Sequence, residues 1–334
     1  MKAIAPGKII ISGEHSVVYG KPALVMAVDR YAEATISGQH NREVAFDLLD
    51  YNTRSSLTLN ALRELKHRLV KNYHDFLNGE LGIRDVLKKP FELFDFLFIT
   101  FLDTLQLKLE HGVNVKLQSN IPIGCGMGSS AATILSVLRG VSKFFDIELL
   151  PEKYYHIGLE AEKLQHGRSS GVDPYVSLHG GFLRFQEDKA TDLPLPDLPM
   201  VLVNTGVPKT STGECVAHVG AKFGTSKIWD DFEWVTDEIQ KALVNGNIVE
   251  LKKLVRENTR LLEQIGVVPE KIKSFIRDIE MEGGAAKIAG AGAIAGEKGG
   301  IVSVFAQDVP VDICKKYGFE IIPVKGEALG ARVV

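Results

Sequence analysis

The sequence is poor in cysteine and has no long apolar run free of charge. Its three cysteines, Cys125, Cys215 and Cys314, form no CxxC pair, so neither a disulfide framework nor a thiolate metal site is predicted. The most apolar stretch, 91–107, contains acidic residues and is shorter than the roughly 20 residues that cross a bilayer. It therefore predicts a buried helix. A signal-peptide core is also missing, which favours a cytoplasmic location.

An excess of charge of either sign is absent as well. Lys and Arg together number 39 and Asp and Glu number 42, which gives a formal net charge of −3. Proteins that bind nucleic acids usually carry a positive excess, so neither nucleic acid nor membrane is an expected partner. With 45% apolar and 24% charged residues, the composition is that of a globular protein. A chain of 334 residues predicts two domains.

Two common nucleotide-binding motifs are missing. Gly20 and Lys21 are followed by Pro22 rather than by Ser or Thr, so there is no Walker loop. The glycine run that begins at Gly124 follows Pro122 and has the form GxGxGSS, whereas a dinucleotide fingerprint requires GxGxxG directly after a strand. The sequence thus supports neither a P-loop ATPase nor a dehydrogenase.

A glycine-rich segment nevertheless leads into a helix. Residues 120–132 read NIPIGCGMGSSAA, and the apolar residues of 134–145 recur at helical spacing. Alternating glycines let a backbone lie close to a ligand, and a helix N-terminus offers free amide groups and the positive end of its dipole. These features predict a phosphate site, with a serine-capped turn as the alternative. The residues assigned to it are Gly124, Gly126, Met127, Gly128, Ser129, Ser130 and Ala131.

Several segments resemble the motifs of one kinase superfamily. The loop at 122–132 resembles the second motif of the galactokinases, homoserine kinases, mevalonate kinases and phosphomevalonate kinases, the GHMP kinases. Residues 5–20, APGKIIISGEHSVVYG, resemble the first motif in the form that mevalonate kinases carry. Residues 166–173, HGRSSGVD, are similar to the segment that supplies the catalytic aspartate, and 204–208 resemble a strand end of the group. Residues 287–292, KIAGAG, stand where the third motif belongs.

The predicted elements mix without a regular βα alternation, which favours an α+β fold over a doubly wound sheet. The resemblance implies an N-terminal lobe, residues 1–187, with the phosphate loop and the catalytic residues, and a ferredoxin-like C-terminal lobe, residues 188–334. The stretch 188–199, rich in Pro and Asp, is the expected crossing between them. Periodicity predicts helices at 57–77, 91–107, 151–164, 228–243, 248–264 and 270–281, and strands at 9–12, 31–37, 113–117, 180–185, 200–204, 301–306 and 319–324.

The resemblance also implies a catalytic pair. Asp173 precedes Pro174, which predicts a position in a loop, and in the family this aspartate is the catalytic base. Lys8 is implied to lie beside it, where a positive charge lowers the pKa of the substrate hydroxyl. Without the resemblance, the aspartate would read as a turn residue and the lysine as a side chain that extends from a strand end into water.

Further roles follow from the same resemblance. Ser130 and Glu162 are implied to bind Mg²⁺, a cation that takes hard oxygen ligands. Glu14 and His15 belong to the Gly-Glu-His sequence that faces the acceptor substrate, and Lys8 with His15 would serve a carboxylate on that acceptor. A zinc site at Glu14 and His15 has little support, since no second histidine stands at the spacing that zinc motifs use.

The third motif departs from the family pattern. That motif usually reads Thr-Gly-Ala followed by glycines, whereas residues 289–300 read AGAGAIAGEKGG. The resemblance implies that Gly290 and Gly292 lie where the backbone closely approaches ATP or the acceptor. The longer turn at 294–300 is expected to form an extra loop at the rim of the cleft.

The leading hypothesis is an ATP- and Mg²⁺-dependent kinase that phosphorylates mevalonate on a primary hydroxyl in isoprenoid biosynthesis. One alternative is another GHMP small-molecule kinase, such as a phosphomevalonate or homoserine kinase, although homoserine kinases generally lack the aspartate matched by Asp173. The other is a non-catalytic ligand sensor on the same fold, which the altered third motif makes conceivable. Retention of Lys8, Ser130, Glu162 and Asp173 argues against a sensor. The oligomeric state stays open, with a homodimer among the allowed states.

Overall fold

Two sheets form the framework of the molecule, and a computed structural model describes them through residues 1–167, 169–187 and 189–334. The predicted α+β class is confirmed. In chain order the strands are β1 (Lys2–Ser12), β2 (Ala23–Gln39), β3 (Glu43–Leu48), β4 (Thr53–Thr58), β5 (Gly112–Ser119), β6 (Phe182–Gln186), β7 (Lys189–Leu193), β8 (Met200–Asn204), β9 (Ala285–Ile288), β10 (Ile301–Phe305), β11 (Glu320–Ile322) and β12 (Arg332–Val333).

Helices cover these sheets and connect their strands. In chain order they are α1 (Leu59–Leu77), α2 (Ile83–Val86), α3 (Glu92–Thr104), α4 (Ser129–Phe144), α5 (Pro151–His166), α6 (Val172–His179), α7 (Thr212–Phe223), α8 (Ile228–Val244), α9 (Ile248–Gln264), α10 (Glu270–Met281) and α11 (Val311–Tyr317). Two short 3₁₀ turns, at Ser16–Tyr19 and Leu49–Tyr51, follow β1 and β3.

The first sheet carries the N-terminal part of the chain. Its strand order is β12-β1-β2-β5-β3-β4, and β6 and β7 extend it from β2. Helix α4 packs on β1 and β2, and Gly140 allows a close approach, because a Cβ there would lie 2.1 Å from the Cδ1 of Ile36. The helix that follows the phosphate loop is thus held rigidly against the two longest strands.

The second sheet has the strand order β11-β8-β10-β9, with every neighbouring pair antiparallel. In chain order this is the arrangement 4-1-3-2. Helices α7 to α10 connect its first strand to its second, and α11 connects its third to its fourth. The second sheet therefore has the ferredoxin-like topology that the resemblance implied.

The crossing between the sheets is shorter than expected. Strand β7 pairs with β6 in the first sheet, so the stretch that leads to the second sheet narrows to residues 194–199. The last described strand, β12, belongs to the first sheet, because it pairs with β1. Asp188, where the predicted domain boundary falls, lies outside the described residues, and the division into 1–187 and 188–334 stays a prediction.

The apolar stretch 91–107 forms α3, whose residues are mostly buried beneath the first sheet and α1. Across the described parts of the chain, no helix combines the length and the apolarity that a membrane span requires. This stretch is therefore a core helix, as expected. Strands β3 and β4 and helix α7 were not predicted, whereas α9, α10 and β8 have the predicted bounds.

A buried carboxyl in α3 makes stability depend on pH. Asp95 is fully buried; its Oδ1 accepts a hydrogen bond from Ser55 Oγ at 3.3 Å, and among the described residues its Oδ2 has no partner. Burial raises its pKa to about 7, and the neighbouring Glu92 adds to that rise. Between the ordinary pKa of the unfolded chain and about 7, the folded state binds more protons. Stability therefore falls as pH rises through this window.

We expect Asp95→Asn to remove that pH dependence, because the amide resembles the protonated carboxyl in shape and has no charge. At pH 8 the variant should be more stable than the parent, by on the order of 4 kcal/mol, and near pH 4 the two should be similar. Urea unfolding at both pH values measures the difference. Equal pH slopes in the two proteins would show that Asp95 does not titrate in this range.

Candidate active site

The phosphate loop is held between the two sheets. The amide of Lys8 in β1 donates to Met127 O at 2.9 Å, and the amide of Ile301 in β10 donates to Cys125 O at 3.0 Å. Gly128 ends the loop in the left-handed region, with φ of 69°, and α4 begins at the next residue. The loop and the helix N-terminus thus meet as predicted, and the amide groups of the first turn of α4 are available to an anion.

Lys8 and Asp173 form an ion pair beside this loop, with 3.0 Å between Nζ and Oδ1. The Lys8 side chain is 4% exposed and that of Asp173 is 30% exposed. Gly128 is required here, since a Cβ would lie 2.9 Å from the Cγ of Lys8. The structure therefore brings the predicted catalytic pair together at the entry to α4.

The expected loop position of Asp173 is wrong. Asp173 lies in the first turn of α6, where Gly171 is the N-cap residue. Pro174 does not prevent this, because the amides of a first helical turn have no partner within the helix and a proline there loses nothing. The aspartate is therefore fixed on a helix rather than on a flexible turn.

A second carboxylate lies close to this pair. Glu162 in α5 is buried, and its Oε2 accepts a hydrogen bond from Ser169 Oγ at 2.5 Å. Burial, and after it the charge of Asp173, raise the pKa of Glu162 to about 8, against the opposing effects of the Ser169 hydrogen bond and the charge of Lys8. Two neighbouring carboxylates with too little positive charge around them favour the binding of a cation.

The donor set suits Mg²⁺. Ser130 Oγ, which donates to Gln165 Oε1 at 2.6 Å, lines the same cavity as Glu162 and Asp173. Among the described residues, no group of three or more His, Cys, Asp and Glu side chains could hold a metal by itself. Mg²⁺ usually binds through one or two carboxylates and completes its shell with phosphate oxygens and water. The residues present fit that mode of binding.

Glu14 and His15 line the cavity on the side of the third motif. His15 Nε2 donates to Ala291 O at 3.0 Å, and burial lowers the pKa of His15 to about 4, so the ring is neutral at pH 7. Its φ of 60° is unusual for a residue other than glycine. Glu14 is buried and forms an ion pair with Lys287 of β9. No sequence motif assigns a role to Lys287.

One cavity of about 610 Å³ is lined by Lys8, Glu14, His15, Ser130, Glu162 and Asp173, and Lys287 lies behind Glu14 without lining it. The loop residues assigned to phosphate binding line it, except Ala131, which is buried in the first turn of α4. The cavity also has an apolar wall and a set of positively charged side chains that were not predicted. These residues lie in parts of the sequence outside the recognised motifs, so no motif indicated that they would line the cavity. The apolar wall consists of Leu48, Leu93, Phe94 and Leu117, and the cations are Arg84, Lys88 and Lys89.

Of the two glycines of the third motif that were expected to approach a ligand, only one lines the cavity. Gly290 lines the cavity, and a Cβ there would lie 3.4 Å from the Cα of Gly126, so the second and third motifs are in contact. Gly292 does not line the cavity. A Cβ at Gly292 would lie 2.2 Å from Val267 O, and φ is +65°, so packing rather than a ligand accounts for this glycine.

The extra loop is also displaced from the expected place. Residues 296–298 line a second cavity of about 410 Å³, which contains Lys209, Lys271 and Phe319, and do not line the main one. The longer turn of the third motif therefore lines this second cavity and does not form the rim of the main one.

The chain is similar in sequence and in structure to known proteins. Residues 96–181 match the family described as GHMP kinases N terminal domain. Over 310 residues the chain is 32% identical to the mevalonate kinase of Thermococcus sibiricus, and the match covers 87% of this chain and 86% of that protein. A crystal structure of mevalonate kinase is similar at a TM-score of 0.81 and 26% identity, and covers 98% of this chain and 99% of its own. The structure of Methanococcus jannaschii mevalonate kinase is similar at a TM-score of 0.80 and 26% identity, and covers 98% of both chains.

Proposed function

The chain belongs to the mevalonate kinases of the GHMP kinase family, and from this premise we propose how its residues carry out the ATP-dependent phosphorylation of mevalonate. The observation that carries the proposal is the ion pair of Lys8 and Asp173 at 3.0 Å, beside the N-terminus of α4. A base, a positive charge and a phosphate-binding helix end are the parts that phosphoryl transfer to a hydroxyl requires. All three face one cavity.

Asp173 acts as the base. As the primary hydroxyl of mevalonate forms its bond to the γ-phosphorus of ATP, its O–H bond breaks and the proton passes to the Asp173 carboxylate. The bond between the γ-phosphorus and the bridging oxygen breaks, and ADP leaves. Lys8 stabilises the negative charge that develops on the attacking oxygen, which lowers the pKa of the hydroxyl.

The phosphate loop positions the donor. The first-turn amides of α4, from Ser129 onwards, donate to phosphate oxygens, and the helix dipole favours the negative charge there. The apolar wall at Leu48, Leu93 and Phe94 is suited to the base of the nucleotide. Because the loop bonds to β1 and β10, it is ordered before ATP arrives, which limits the entropy lost on binding.

Ser130 and Glu162 are the residues that we propose for Mg²⁺, with Asp173 close enough to influence the same site. When bound, the ion would neutralise charge on the phosphate oxygens. Glu14 and His15 face the acceptor. We also propose a cytoplasmic location, which suits three buried and free cysteines.

A panel assay for ADP release tests the proposed acceptor. Mevalonate, phosphomevalonate, homoserine and galactose are each supplied with ATP and Mg²⁺, and kcat/KM is measured for each. We expect mevalonate to have the highest value. A higher value for another acceptor would favour a different GHMP kinase. If none of the four acceptors leads to ADP release, the ligand-sensor alternative is favoured.

We expect Glu162→Gln to raise the Mg²⁺ concentration needed for half-maximal rate, because one charged oxygen is lost from the proposed metal ligands. Activity should recover in part at high Mg²⁺. A Mg²⁺ titration of the initial rate, with Mn²⁺ binding followed separately by electron paramagnetic resonance, measures the change. Glu160→Gln is the matched control, since Glu160 is an exposed glutamate of the same helix. An unchanged titration would remove Glu162 from the metal site.

A further inference from the structure

A buried lysine from the second sheet pairs with Glu14, a residue that lines the cavity. Lys287 lies in β9 and its side chain is fully buried. Its ammonium donates to Glu14 Oε1, to Ile288 O at 2.8 Å and to Ile10 O at 3.4 Å. These three acceptors use all three of its N–H groups, so the ammonium has one defined position.

Those acceptors come from both sheets. Ile10 belongs to β1 of the first sheet, Glu14 follows the same strand, and Ile288 belongs to β9 of the second sheet. Lys287 therefore joins the two sheets at the point where the Gly-Glu-His sequence leaves β1. Its position on β9 fixes the position of the Glu14 carboxylate relative to the third motif.

Only one oxygen of Glu14 is used by this pairing. Oε1 pairs with Lys287, whereas Oε2 has no hydrogen-bond partner among the described residues, although Glu14 is only 1% exposed. Glu14 lines the main cavity. A buried carboxylate oxygen without a partner is costly, and a hydroxyl donor from a ligand in the cavity would remove that cost.

Stability alone does not account for this arrangement. A buried ion pair is often no more stabilising than well-packed apolar side chains of similar volume, because both charges must leave water. Burial raises the pKa of Glu14 and lowers the pKa of Lys287, and the pairing opposes both shifts. The pairing thus opposes the loss of charge from either group, which matters most where a charge is needed at a fixed place.

We propose that Lys287 is a positioning residue for the acceptor: it holds Glu14 Oε1, so that Oε2 accepts a hydrogen bond from a hydroxyl of mevalonate. This inference rests on the proposed function, in which Glu14 faces the acceptor. Mevalonate has a tertiary hydroxyl besides the one that is phosphorylated, and so offers a donor that does not react. Lys287 acts on acceptor binding through Glu14 and touches neither ATP nor the reacting atoms.

Steady-state kinetics of three variants test the proposal: Lys287→Met, Glu14→Gln and the double variant. We expect Lys287→Met to raise the KM for mevalonate by about tenfold to a hundredfold, the usual effect of losing a hydrogen bond to a charged group, with the KM for ATP within about twofold of wild type. The double variant should have the same KM for mevalonate as Glu14→Gln alone, because Lys287 acts only through that residue. Lys252→Met is the control, since Lys252 is only partly buried and its ammonium makes an exposed hydrogen bond to the carbonyl of Gly283 just before β9.

Folding is followed separately by thermal unfolding, because Lys287→Met leaves a buried charge without its partner. Lys287→Arg keeps the charge but has a longer and planar head group, so it should retain most of the stability and still raise the KM for mevalonate. A purely structural lysine would give a lower Tm with an unchanged KM for mevalonate in Lys287→Met and Lys287→Arg. That result would overturn the inference.

The wild-type protein separates this inference from the proposed function. If the wild type does not phosphorylate mevalonate, the proposed function fails and the inference fails with it. If the wild type does so and the Lys287 variants keep its KM for mevalonate, only the inference fails. A Lys287→Met variant that loses affinity for ATP while Glu14→Gln keeps it would show that Lys287 acts on the nucleotide and would likewise contradict the inference.

Discussion

Asp173→Asn is expected to lower kcat by about 10²-fold to 10⁴-fold, the usual range for the loss of a positioned base, and to leave the KM for ATP close to the wild-type value. The asparagine has nearly the same shape as the aspartate, so α6 and the cavity keep their form. The amide cannot accept the proton of the substrate hydroxyl. The measurement is single-turnover transfer to mevalonate at saturating ATP, which separates the chemical step from product release.

The matched control for this variant is Asp237→Asn. Asp237 also forms an ion pair, with Arg184 at 2.6 Å, but it does not line the main cavity. We expect its kcat to remain at the wild-type value. Normal single-turnover rates in Asp173→Asn would remove the aspartate from the mechanism and leave phosphoryl transfer to positioning and charge alone.

Lys8→Met is expected to lower kcat by about 10²-fold to 10³-fold, as the loss of one group that stabilises transition-state charge usually does. Lys8 also opposes the rise in the pKa of Glu162. In the Lys8→Met variant, the carboxylates of Asp173 and Glu162 have no positive side chain from β1 beside them. Both effects act on the chemical step, and the KM for ATP should change much less than kcat.

Lys2→Met is the control on the same strand, because Lys2 pairs with Glu33 on the surface at 2.8 Å. Its kinetics should equal those of the wild type. If Lys8→Met raised only the KM for ATP and left kcat intact, the lysine would bind phosphate and would not act on the attacking hydroxyl. The far-ultraviolet circular dichroism of both variants checks that the overall secondary structure is kept.

The sequence predicts best those helices whose buried apolar residues recur at helical spacing along the whole element. Helices α9 and α10 have one apolar face each, and their predicted bounds agree with the structure. Helix α7 was missed, although Ser211 and Glu214 form a capping box, a spacing that the sequence already contains. Strand β4, with the sequence TRSSLT, has no clear alternation and is defined by its pairing with β3.

The candidate site likewise contains residues that the sequence could predict and residues that it could not. Lys8, Ser130, Glu162 and Asp173 lie in motifs and can be found from their neighbours in the sequence, and they line one cavity. Lys287 lies between buried alanines and an isoleucine, which gives no local reason to expect a partner. That partner, Glu14, is 273 residues away in the chain. Contacts of this kind come from the docking of the two sheets, and no local pattern encodes them.

The hydrogen bonds of the phosphate loop have a consequence for unfolding. Cys125 and Met127 bond to strands of different sheets, so the loop keeps its form only while both sheets are folded and docked. A ligand that binds the loop therefore binds a state in which both sheets are native and docked. Its binding free energy stabilises the two sheets together, and nucleotide should merge their unfolding into one cooperative transition at a higher temperature.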